Sequence, residues 1–120
     1  MKPTPEAQIP EAFLHQAAQT LRALTHPQRL RICELLLLRD CAVGDLARTL
    51  GLRPNVVSQH LTHLRAYGIV APQRAGRTVH YRVVHPGAGW LLACIRRALA
   101  EQTARGGGSP LDGQTKPPRS

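Results

Sequence analysis

No acidic residue occurs between Asp45 and Glu101, although that stretch holds Arg48, Arg53, Arg65, Arg74, Arg77, Arg82, Arg96 and Arg97. Across the 120 residues, sixteen Lys and Arg stand against seven Asp and Glu, a net charge of +9, and fourteen of the sixteen cations are Arg. Genomic bias toward Arg would account for its excess over Lys, but not for the missing acids. A field of this sign suits a polyanion, and Arg is the cation suited to bidentate contact with phosphate and guanine. Long apolar runs are also absent, and the first ten residues are polar and Pro-rich. That excludes a signal peptide and predicts a cytoplasmic protein with no membrane partner. Three cysteines, an odd number, argue against a disulfide framework in a reducing compartment and leave buried thiols, metal ligands or redox sensors. No acid is paired with a His in a motif, no Gly-rich phosphate loop occurs, and no nucleophile signature is present. No residue is therefore assigned as catalytic, and an enzyme is not expected.

What is present centres on Val43 to Tyr67, VGDLARTLGLRPNVVSQHLTHLRAY. A short helical pattern through Val43, Leu46, Ala47 and Leu50 runs into Gly51, and a second helix opens at Pro54 after a few turn residues. This is the spacing of a helix-turn-helix. Ala47 is small where the two helices approach, Gly51 suits the tight turn, and Val57 fills the wedge between them. Two packed core helices with no ligand are the structural alternative.

With 120 residues the chain has room for one domain with a modest core, plus tails. Pro3, Pro5 and Pro10 mark residues 1–10 as a disordered lead. Glu11 to Leu24 places Leu14, Ala17, Ala18, Leu21 and Leu24 on one face of an amphipathic helix. Thr25-His26-Pro27 supplies a capping residue and a proline suited to a first helical turn. The helix that follows, to about Leu38, is apolar on nearly every side through Leu30, Ile32, Cys33 and Leu35 to Leu38, which predicts a central pillar packed on several faces. Arg39 to Ala42 reads as a connector. After the Tyr67-Gly68 stop, Ile69–Arg74 and Arg77–Val84 form a hairpin joined across Ala75-Gly76. In its second strand Val79, Tyr81 and Val83 alternate with Thr78, His80 and Arg82. Pro72 confines the first strand to an edge or to partial pairing. A last helix runs from about Pro86 to Thr103, and residues 104–120 form a flexible tail.

The predicted fold class is mainly α with a small β-hairpin (α+β), a winged helix-turn-helix over residues 11–103. In that fold the recognition helix enters the major groove, and the hairpin lies along the flanking backbone or minor groove of double-stranded DNA. With Val57, Leu61 and Leu64 as the buried seam, the opposite face carries Asn55, Ser58, Gln59 and Thr62. Gln59 and Asn55 have the donor and acceptor pair that matches adenine, and Val56 can touch a thymine methyl. Arg53, Arg74 and Arg77 are assigned to phosphates or the minor groove, and His63 flanks the same surface. For each polar residue alone a solvated face is the alternative; the acid-free field favours contact. His60 and His63 are spaced as metal ligands can be, but no third ligand is near in sequence, so no metal site is assigned. His15, His26, His80 and His85 read as surface or capping residues.

From about Ala17 to Leu99 the chain closely resembles the arsenic-repressor type (ArsR/SmtB) family of prokaryotic winged-helix regulators. LRALTHPQRLRICELLL resembles its opening pair of helices, VGDLARTLGLRPNVVSQHLTHLRAYGIV its helix-turn-helix, and QRAGRTVHYRV its wing. The resemblance implies a homodimer assembled through the first and last helices, bound to an imperfect palindromic operator at its own promoter and released by an inducer. The apolar surface of the helices containing Leu21 and Leu91 agrees with a dimer. The family's Cys-Val-Cys-Asp-Leu soft-metal box is replaced here by Ala42-Val43-Gly44-Asp45-Leu46, with Cys41 one residue too early. The Asp and His ligands of the family's last-helix zinc site are missing from Pro86–Thr103. Some members sense reactive sulfur or oxidants through cysteines on the second and last helices, where Cys33 and Cys94 lie, while Cys41, in a connector, is the thiol expected to be exposed. Two readings stay open: a thiol-modifying or soft-metal inducer acting on a pair of these cysteines, or buried thiols that behave as small hydrophobes. A winged-helix module that binds protein or RNA without operator recognition is the alternative function.

Overall fold

The computed structural model describes residues 8–105, so the disordered ends expected at 1–10 and 104–120 lie outside the described residues except at 8–10 and 104–105. The elements are α1 (Glu11–Ala23), α2 (Pro27–Leu38), β1 (Cys41–Ala42), α3 (Val43–Leu50), α4 (Pro54–Ala66), β2 (Val70–Ala75), β3 (Thr78–Val83) and α5 (Pro86–Ala104). Two of the helix starts use the same device. His26 Nδ1 accepts from the Gln28 N–H at 3.1 Å and His85 Nδ1 from the Gly87 N–H at 2.9 Å, each one residue before a proline. The imidazole satisfies an N–H that the helix leaves free, and the proline lacks a donor that would otherwise have no partner. Thr25 acts at the other side of the turn, donating its hydroxyl to the Arg22 carbonyl at 2.7 Å.

The wing is larger than a hairpin. Arg39 to Ala42, read as a connector, contains β1, which pairs antiparallel with β3 through Cys41↔Tyr81 and Ala42↔His80. The result is a three-stranded sheet in the order β1-β3-β2. β3 would otherwise leave a row of unpaired backbone groups on one edge, and a two-residue strand is too short to show a period of its own. β2 is the other edge strand, as Pro72 requires, with Pro72 opposite Tyr81. The turn falls on Gly76-Arg77, one residue later than expected, because Ala75 already pairs with Thr78 and Gly76 takes the positive φ of 67°.

One apolar cluster joins the helices to the sheet. Ile32, Cys33 and Leu36 of α2 meet Leu46 and Ala47 of α3, Val57, Leu61 and Leu64 of α4, Ile69 and Val70, and Ala88 and Leu92 of α5. Tyr81 and Val83 pack against it from β3, but the expected alternation is only partly realised, since Val79 lies outside the cluster and His80 is half-buried like its neighbours. The expected enclosure of α2 on several faces is only partly met. In its last turn Leu37 and Leu38 are 45% and 74% exposed. Glu34, on the same helix, holds Arg96 of α5 at 3.1 Å and Arg31 at 2.5 Å, which pins α5 to α2. Among the described residues no helix is long and apolar enough to cross a membrane.

Candidate nucleic-acid interface

α3 ends at Gly51, whose φ of 69° places it in the left-handed region, and the Leu52 N–H returns to the Ala47 carbonyl at 3.0 Å. An added Cβ at Gly51 would meet nothing within 4 Å, so the requirement for glycine there is backbone conformation and not space. Ala47 is buried at the approach of the two helices, and Val57 fills the wedge with no exposed surface. The Arg53 carbonyl then accepts from the Val56 and Val57 N–H groups at 3.0 and 3.1 Å, opening α4 behind Pro54.

On α4, Val57, Leu61 and Leu64 are buried, and Asn55, Ser58, Gln59, Thr62 and His63 are exposed together with Arg53. The seam at i, i+4 and i+7 faces the core, so residues between these positions are turned outward. Thr62 Oγ1 already donates to the Ser58 carbonyl at 2.9 Å, which leaves its hydroxyl oxygen to act as an acceptor. Val56, grouped from sequence with the contacting residues, is half-buried. It stands one position before the seam, so only part of its side chain is open to solvent.

Arg74 lies on β2 and Arg77 in the turn, both exposed. The register separates the sheet's faces: Arg74 shares one with Val70 and Pro72, whereas Gln73 and Arg82 occupy the other. Arg82 Nη1 donates to Gln73 Oε1 at 3.0 Å across the strands. Among the described residues Arg53, Arg74 and Arg77 form no ion pair, whereas Arg48 pairs with Asp45 and Arg96 with Glu34. Within the Arg field read from sequence, Arg48 and Arg96 are thus engaged by carboxylates, whereas Arg53 at the start of α4 and Arg74 and Arg77 of the wing are not. The Asp45–Arg48 pair was legible from its spacing of three on a helix; the Glu34–Arg96 pair, formed between distant segments, was not.

His60 departs from the outer face. Half-buried, its ring lies 4.6 Å from that of His26, tilted by 58°, and its Nδ1 accepts from Arg29 Nε at a long 3.4 Å. Burial lowers its pKa below the ordinary imidazole value, and the neighbouring His26, Arg29 and His63 act in the same direction. Sequence reasoning missed this cluster because Arg29 and His60 belong to different helices and share no motif. His63 stays on the exposed face, so the two histidines of the i, i+3 pair have different surroundings. Among the described residues no group of three or more His, Cys, Asp or Glu is placed to hold a metal ion.

The cysteines are distributed differently from expectation. Cys41 is buried, 5% exposed, because its strand is paired to β3, and its thiol donates to the Arg39 carbonyl at 3.4 Å. Cys94 on α5 is the exposed thiol. Cys33 has no exposed surface, and burial pushes its pKa up to about 11.

Residues 26–71 match the arsR family of bacterial regulatory proteins. The HTH-type transcriptional regulator Rv0081 of Mycobacterium tuberculosis is 42% identical over 84 residues, spanning 69% of this chain and 74% of that protein. Its crystal structure matches with a TM-score of 0.67 at 37% identity, over 80% of this chain and 97% of that one. The homodimeric winged helix-turn-helix DNA-binding domain Mb0332 of Mycobacterium bovis, solved in solution, matches with a TM-score of 0.71 at 27% identity, over 85% and 97% of the two chains. The biofilm growth-associated repressor of Xylella fastidiosa is 32% identical over 92 residues, covering 77% of this chain and 81% of that protein. With its helix-turn-helix, its wing and these relatives, the chain belongs to the arsR family of winged helix-turn-helix, DNA-binding transcriptional regulators.

Proposed function

We propose that this protein is a cytoplasmic homodimeric repressor, and not an enzyme, that reads an imperfect palindrome at its own promoter and leaves it when an inducer binds or modifies it. The observation that carries operator reading is the polar face of α4, with Asn55, Ser58, Gln59 and Thr62 exposed over a wholly buried Val57, Leu61 and Leu64 seam. Asn55 and Gln59 read adenine edges from the major groove, and Val56 offers its remaining surface to a thymine methyl. His63, Arg53, Arg74 and Arg77 hold the flanking backbone. An interaction module for protein would carry apolar groups on this face, and apart from half-buried Val56 it has none.

Dimerisation is supported by apolar side chains that the chain's own core leaves uncovered. Phe13 and Leu21 of α1 and Trp90 of α5 are 60%, 50% and 73% exposed, and they line one open trough of about 630 Å³ with Tyr67 at the end of α4. For the inducer, burial of Cys33 and Cys41 supports the inert reading of those two thiols and leaves Cys94 as the one able to meet a reagent. Replacing all three by Ser and finding the inducer response unchanged would end the thiol reading.

The deciding experiment is a salt titration of binding to a duplex from the protein's own promoter, beside a scrambled duplex. Specific reading is expected to lose affinity steeply with salt while still preferring the promoter sequence. Equal affinity for both duplexes would overturn it. The same assay repeated with arsenite, zinc, polysulfide and peroxide identifies the class of inducer.

A further inference from the structure

Arg29 joins three helices. From the first turn of α2 its Nη1 donates to the Ala23 carbonyl at the end of α1, at 3.0 Å, and its Nε donates to His60 Nδ1 on α4. A guanidinium has this reach because its donors are fixed in a planar fork. His60 is held from a second side by the ring of His26, itself committed to capping α2. The recognition helix is therefore seated on α1 and α2 through one imidazole that must offer a lone pair.

We infer that His60 is a positioning residue for the recognition helix, and that the His26–Arg29–His60 contact is a proton-sensitive seat that ties α4 to the end of α1. This rests on the DNA-reading assignment above. A protonated His60 presents a donor where Arg29 requires an acceptor, and the charged or titratable groups facing it are Arg29 on α2, His26 at its N-cap and His63 on α4, none of them an acid. Protonation therefore pushes α4 away from α2. The direction of the pKa shift agrees: the folded protein holds His60 neutral below the ordinary value of 6.5. The stability of the seat is complete above that value, falls as pH drops from it toward the lowered folded pKa, and loses nothing further below both. The link through Arg29 to Ala23 carries the effect to α1, so operator affinity and the dimer-forming helix respond to the same proton.

His60→Asn tests this, because its side-chain oxygen sits where Nδ1 does and accepts from Arg29 without titrating. Promoter-duplex affinity of the full chain is measured at constant ionic strength from about pH 7.5 to about pH 5.5, the range in which histidine changes charge. The two proteins differ only at position 60, so the ratio of their affinities reports the contribution of the His60 contact. The wild type is expected to lose affinity relative to His60→Asn by about fivefold or more, the lower end of couplings between linked sites. Parallel pH profiles would overturn the seat. Should neither protein prefer the promoter duplex at about pH 7.5, the DNA reading fails, and the seat is judged separately by amide chemical shifts. Leu61 and Leu64 amides should follow the His60 ring titration in the wild type and stay flat in the variant; flat shifts in both would reject it.

Discussion

Gln59 and Asn55 each carry a donor and an acceptor on one exposed amide, and that chemistry is worth about 1–3 kcal/mol of discrimination for a well-made bidentate pair. Gln59→Ala is therefore expected to relax preference at one base position of the operator by about tenfold or more, measured by competition among single-base variants. Arg77 acts differently, because a guanidinium on a phosphate reads no base. Arg77→Ala should weaken binding to all duplexes alike and reduce the salt slope by about 1; a loss of discrimination instead would show that it contacts a base. The thiols also divide at this scale. Cys33, fully buried and held protonated by a pKa pushed to about 11, is expected to be alkylated only at the rate of global unfolding, as followed by mass spectrometry. Rapid labelling of Cys33 in the native protein would contradict its burial. The seam of α4, the identity of its exposed residues and the replacement of the family's thiol box were all legible residue by residue. The burial of Cys41 was not, because it depends on a strand only two residues long.

At the scale of elements, the turn between α3 and α4 sets the angle at which the recognition helix is presented. Gly51 adopts a φ of 69°, which costs an L-residue about 1–2 kcal/mol. Gly51→Ala should lower the melting temperature by several degrees, about 4–8 °C per kcal/mol in a domain of this size, without any clash to relieve. Calorimetry at a pH well above the histidine range checks this free of His60. The wing is built on the same logic: Gly76 supplies the tight turn and Pro72 keeps β2 at the edge, and both were readable from the sequence. β1 was invisible, since pairing along β3 is a decision made by backbone groups that any residue carries.

Over the whole molecule, the decisive feature is apolar surface that a single chain leaves open. Phe13, Leu21, Leu38, Trp90 and Leu99 remain substantially exposed, and such a surface is stable in water when a second copy covers it. Leu21→Asp is expected to shift sedimentation toward monomer and, on the proposed palindromic operator, to reduce promoter affinity sharply, since each chain would then bind its half-site alone. Retention of a full dimer would place the interface elsewhere. The charge of the molecule is likewise a collective property: Arg48 and Arg96 are paired with Asp45 and Glu34, while Arg53, Arg74 and Arg77 stay unpaired among the described residues.

The amino-acid sequence by itself determined the helical periods, the helix-turn-helix, the wing with its edge proline and the polar face of α4, because each rests on local spacing or on the conformational limits of Gly and Pro. Only the tertiary structure decided which arginines are free, which cysteines are covered, and that His60 leaves the recognition face to sit between His26 and Arg29. Those outcomes depend on groups brought together from separate helices, and no local pattern encodes a contact whose partner lies on another element.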